Sequence, residues 1–152
     1  YIALRRVSES LMAIGTAFYF ISTAIYFASN NAFAMLNLSN QYAVATTEAQ
    51  RNLLLAAGQA VMATETGTGM VMTFLLGSLA GLIVSIVMLK SKTFGKPVAI
   101  IGIIANVLGM PGSALGLAVW TLNGLLMMVW TILVAVKLLQ LSKNCAQLEV
   151  KK

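Results

Sequence analysis

Pro97 to Val136 reads PVAIIGIIANVLGMPGSALGLAVWTLNGLLMMVWTILVAV, 40 residues without a charge. As a single helix it would be about 60 Å long, twice the roughly 30 Å hydrocarbon core of a bilayer. It therefore reads as a hairpin of two membrane spans. Pro111-Gly112-Ser113 is the best turn, because proline breaks the helical ladder and glycine permits the reversal. The two spans fall near 97–110 and 114–138, the first of them short. A turn at Asn123-Gly124 is the alternative, with Pro111 then a kink inside the third span.

Working outward, Thr66 to Leu89 is uncharged and ends at Lys90, and Ser10 to Ala28 is uncharged and long enough for one crossing. The sequence predicts an all-α polytopic membrane protein with four transmembrane helices, at about 8–28, 68–89, 97–110 and 114–138. The four form a single bundle over residues 1–140, followed by a basic tail at 141–152. The composition demands such a location. Of 152 residues, 59% are hydrophobic and 9% charged, whereas a soluble domain carries about 25% charged residues. A chain this small keeps too much surface exposed to hide that apolar content from water.

The charges orient the spans. Arg5 and Arg6 precede the first, Lys90, Lys92 and Lys96 lie between the second and third, and Lys137, Lys143, Lys151 and Lys152 follow the last. With four spans these nine of the ten cations share one side, and only Arg51 lies across the membrane. The positive-inside rule then puts both termini in the cytoplasm. The net charge of +6 thus serves orientation, and no nucleic-acid partner is expected. No charged leader with a short apolar run and a small-residue cleavage site is recognisable, so no signal peptide is expected.

Residues 29–65 form the long external segment. Its first part, SNNAFAMLNLSNQYAVA, mixes amides and apolar residues without a clean period, and no element is assigned to it. The second part opens with a capping box, Thr47 as N-cap and Gln50 at N3. Leu54, Ala57 and Val61 then share one face, with Arg51, Asn52 and Gln59 largely opposite. This predicts an external amphipathic helix over about 48–65, lying on the membrane or standing on the bundle, hinged at Gly67 and Gly69. One continuous helix over 48–89 is the rival.

The chain has no histidine and no aspartate. That excludes Ser-His-Asp triads, Cys-His pairs, histidine metal sites and bis-histidine haem. No catalytic residue, metal or cofactor is expected, and the chain reads as a non-enzyme. Met70, Met72, Met127 and Met128 fill gaps rather than bind copper, and Cys145 is a plain tail cysteine. Glu65 reads as a solvated helix end. Arg6 and Glu9, three apart, predict an ion pair at the membrane interface. Gly77 and Gly81 form a GxxxG pair, which lets another backbone approach closely, either within the chain or from a second copy or a membrane partner. Asn106 and Asn123, polar within the membrane, read as packing glue or the lining of a polar pathway. On a hairpin turning near 112 they lie at different depths and are not paired.

Several segments resemble the uncharacterised prokaryotic membrane family DUF4386. They are Asn40 to Ala60 with the following Gly-Thr-Gly, Val87 to Phe94, Gly102 to Gly109 and, more weakly, Arg6-Val-Ser-Glu9. The resemblance implies a multi-pass protein of a prokaryotic plasma membrane. It further implies that this chain corresponds to the C-terminal four spans, with Tyr1 to Leu4 ending an earlier helix. It brings no activity. The expectation is a non-catalytic structural or regulatory bundle; the alternative is a small permease or channel for an uncharged or hydrophobic solute.

Overall fold

The computed structural model describes residues 1–65, 67–111 and 116–150, with the side chains of 65, 117 and 144–150 excepted. Six α-helices follow one another: α1 (Glu9–Ser29), α2 (Ala32–Val44), α3 (Glu48–Glu65), α4 (Thr68–Lys90), α5 (Lys96–Gly109) and α6 (Leu117–Val150). No strand occurs among the described residues. Three stretches, within Glu9–Val44, Glu48–Lys90 and Ala118–Lys143, are long and apolar enough to cross a membrane. The chain divides into two compact units, one of residues 1–20 and 74–152, the other of residues 21–73.

In the first unit, Pro97 sits in the first turn of α5, where its missing N–H breaks no bond. α5 and α6 pack along each other. α5 has 14 residues, about 21 Å, so it is shorter than the bilayer core and stands apart from the three long stretches. α6 runs through Asn123 and Gly124 without a break, which removes the alternative turn there. The preferred turn at Pro111-Gly112-Ser113 falls largely outside the described residues. Gly116 has φ +88°, a conformation that suits glycine alone. α6 also continues through the segment expected to be a tail. Lysine and glutamine end an apolar run, but both are good helix formers. An apolar cluster of Leu4, Met12, Val87, Met88, Phe94 and Ala99 forms the core of this unit, with Trp130 and Val134 against it.

In the second unit, α2 fills the segment to which the sequence assigned no element. Its start is held by Asn30, whose Oδ1 accepts the Ala32 N–H at 3.0 Å. The helix escaped notice because its apolar residues lie all round it. Met35 and Leu38 are half-buried, whereas Phe33, Leu36 and Val44 are exposed, so no 3.6-residue contrast appears. α3 begins where expected. The Thr47 hydroxyl accepts the Gln50 N–H at 3.3 Å, while the Gln50 side chain reaches the Thr46 N–H rather than that of Thr47. Leu54, Ala57, Gly58 and Val61 are the half-buried positions of α3. α3 packs on α2, and Leu54 and Gly58 line a cavity of about 280 Å³ with Met35, Leu38 and Tyr42. Arg51 Nε donates to the Ala45 carbonyl at 3.3 Å, tying the α2–α3 connection to the first turn of α3. α3 and α4 are separate helices with a bend at Gly67, so the continuous helix does not form; Thr66 lies outside the described residues. Gly69 lies inside α4 and is less a hinge than a close approach to the Ser29 side chain.

Candidate functional site

Three of the residues selected from sequence in the first unit, Gly81, Asn106 and Asn123, lie along a seam between α4, α5 and α6. It is built in three levels. At one end, the place where a Cβ on Gly109 would stand is 2.7 Å from Ser78 Oγ and 3.2 Å from Asn123 Nδ2. In the middle, Gly81 of α4 faces the Asn106 amide of α5, and any side chain at Gly81 would collide with it. At the other end, Gly102 of α5 is covered by Ser85 of α4 and Trp130 of α6. Each glycine is the hole into which a polar side chain of a neighbouring helix fits, the close approach that small residues permit.

The seam is closed. Ser85 is 0% and Asn106 1% exposed. Ser85 Oγ donates to the Gly81 carbonyl at 2.8 Å, and Asn106 Nδ2 donates to the Gly102 carbonyl at 2.7 Å. Both bonds turn a donor back onto its own helix four residues earlier, which pairs the Ser85 hydroxyl proton and one Asn106 amide proton without water. Among the described residues, three buried atoms have no hydrogen-bond partner: Asn106 Oδ1, Asn123 Oδ1 and Trp130 Nε1. Two acceptors and one donor are therefore left over in successive levels of one seam.

Of the other residues singled out from sequence, Gly77 is half-buried beside the seam. Arg6 and Glu9 are both exposed and form no ion pair among the described residues. Arg6 lies in a run of turns, and α1 starts only at Glu9. The spacing of three puts two residues on one face only when a continuous helix carries both. Glu65 and Cys145 lie outside the described side chains. The serines of the seam, with Gly102, Gly109 and Trp130, were not selected from sequence. Ser78 and Ser85 are seven apart, on the face of α4 that carries Gly81, and that spacing was the available signal.

No family model, curated protein or solved structure matches this chain. The function must be argued from the geometry.

Proposed function

We propose that the chain is a membrane-embedded helical bundle with a structural or regulatory role and no catalytic one. The observation that carries this reading is the distribution of side chains. Phe20 and Leu139 stand 71% and 64% exposed while Ser85 and Asn106 are 0% and 1% exposed. In water that pattern wastes the apolar surface. In lipid, large apolar residues cost nothing on the outside, and small and polar ones belong between helices. The nine-to-one division of cations supports four crossings with both termini cytoplasmic. The short α5 is then accommodated by local thinning of the bilayer or snorkelling of Lys96. A prokaryotic plasma membrane is the location that accords with the resemblance to DUF4386. The bilayer is the principal partner, and the half-buried Gly77 is a place where a second copy or a membrane partner would pack.

Thiol labelling tests the arrangement. With Cys145→Ser as background, Asn40→Cys and Lys92→Cys place reporters at exposed positions. An impermeant reagent on intact cells labels only the cysteine at 40 if four spans hold. Labelling only at 92 means the opposite orientation, and labelling at both positions defeats the four-span arrangement.

A second reading, a permease for an uncharged solute, is favoured by the three unpartnered atoms of the seam. Flux of glycerol and urea into liposomes carrying the protein decides it, since the structural role predicts none above the lipid background.

A further inference from the structure

A cavity of about 310 Å³ lies in the first unit, and none of the seam's polar residues lines it. Its walls include Leu4, Met12, Phe20, Met88, Phe94 and Val134. That volume is at the lower end of those that hold small ligands. The Thr16 hydroxyl on its wall is already donated to the Met12 carbonyl at 2.7 Å, so it asks for no polar partner. Such a hole suits hydrocarbon.

The charges around it are one-sided. Arg5 and Arg6 follow Leu4, Lys90 and Lys92 stand within two residues of Met88 and Phe94, and Lys137 lies between the wall residues Val134 and Leu138. Arg5, Arg6, Lys90 and Lys92 are exposed. Lys96 stands two residues beyond Phe94, and against these six cations Glu9 is the one carboxylate within three residues of a wall position among the described side chains. Basic clusters at the cytoplasmic edge of membrane helices attract anionic headgroups. Here they adjoin, in sequence, the walls of an apolar hole.

We propose that this cavity is a site for an anionic glycerophospholipid, one acyl chain in the cavity and the phosphate against Arg5, Arg6, Lys92 and Lys137. The site rests on the membrane-embedded reading. It adds to that reading a ligand class and a dependence on lipid composition.

The test is native mass spectrometry of the whole chain in non-ionic detergent, titrated with palmitoyl-oleoyl phosphatidylglycerol and with the matching phosphatidylcholine. Phosphatidylglycerol should bind about tenfold more tightly, the direction that the cationic surround dictates. Ala3→Trp, a filling change at an exposed wall position, should abolish retention of both lipids. Leu138→Trp does the same from the α6 side and serves if the first variant fails to keep its helical circular dichroism. The combined Arg5→Gln, Arg6→Gln, Lys92→Gln and Lys137→Gln should lower phosphatidylglycerol to the phosphatidylcholine level and leave phosphatidylcholine unchanged. Equal binding of the two lipids by the unaltered chain overturns the proposal. So does undiminished phosphatidylglycerol binding by both filling variants, or a preference that survives the fourfold change. Alkaline carbonate extraction separates this failure from that of the membrane reading: a chain that washes off membranes was never embedded. One that stays but ignores headgroup charge loses only the lipid site.

Discussion

The seam of α4, α5 and α6 and the hairpin of α2 and α3 are both helix packings in the same apolar chain, built on opposite terms. In the seam, glycine, serine and asparagine stand between the helices, and nothing larger than a hydrogen would fit at Gly81. In the hairpin, α2 buries no residue, and a Cβ added to Gly58 of α3 meets nothing within 4 Å. The first is held by closeness, where many weak contacts act over a short range. The second is held by partial coverage of Met35, Leu38 and Leu54 around a void. The comparison teaches that in this chain the filled glycine sites, Gly81, Gly102 and Gly109, mark where the packing is close.

The most disruptive change should be Gly81→Leu. Overpacking a filled interior costs about 1–3 kcal/mol and occasionally more, and this site has no slack, so about 3 kcal/mol is expected. Thermal melting in detergent measures it. Gly124→Leu is the proper control, because nothing lies within 4 Å of a Cβ there, and it should change stability by less than about 0.5 kcal/mol. Gly116 is a poor control, since its φ of +88° resists any side chain whatever the space. If Gly81→Leu and Gly124→Leu melt alike, the closeness of the seam is not what holds it.

A milder pair sharpens the point. Gly81→Ala should cost about 2 kcal/mol alone, by collision with Asn106. In an Asn106→Ala background the same change should cost little, a coupling of about 1–2 kcal/mol in the cycle. Additive losses would mean that the amide yields freely.

For the hairpin, Leu54→Asp with Val61→Asp removes coverage at two half-buried positions. Full burial of such side chains is worth about 1.5–3 kcal/mol each, and half of that per site totals about 2 kcal/mol. Hydrogen exchange across α2 and α3 should rise about thirtyfold, while α5 keeps its protection. No change in α2 would show that the hairpin does not depend on this face. The smallest effect belongs to Thr47→Ala. An N-cap is worth about 0.5–2 kcal/mol, and this bond is long, at 3.3 Å. Only the amides of residues 48–50 should exchange faster.

The same contrast explains what could be read from sequence. Helices α1 and α4 were legible because an uncharged run of the right length announces itself, and Thr47 with Gln50 marks the start of α3 by local chemistry. α2 was not legible. Phe33, Leu36 and Val44 face outward, which a periodicity argument built for water counts as noise. Nor was the end of α6, because lysine stops an apolar run and not a helix. In the seam, Asn106 and Asn123 stood out as amides among apolar residues. What they meet could not be foreseen. Gly102 and Gly109 bring them to Ser78 and Gly81 only once α5 lies between its neighbours. The Arg6–Glu9 spacing acts only along one helix, and α1 starts at Glu9, after Arg6.

The outer levels of the seam have one more property. They are separated by seven residues on every helix: Ser78 and Ser85 on α4, Gly109 and Gly102 on α5, Asn123 and Trp130 on α6. Seven residues fall about 20° short of two full turns, so the levels stay nearly stacked and the three helices share one register. An alanine inserted anywhere between Ser78 and Ser85 would rotate the remainder of α4 by about 100°, pulling Ser85 off Gly102 while Ser78 keeps its place. Insertion of seven residues would instead slide α4 by one level and return a matching face. Among natural variants of this chain, gaps of seven in these helices are therefore the tolerable ones, and gaps of one or two should be confined to the connections.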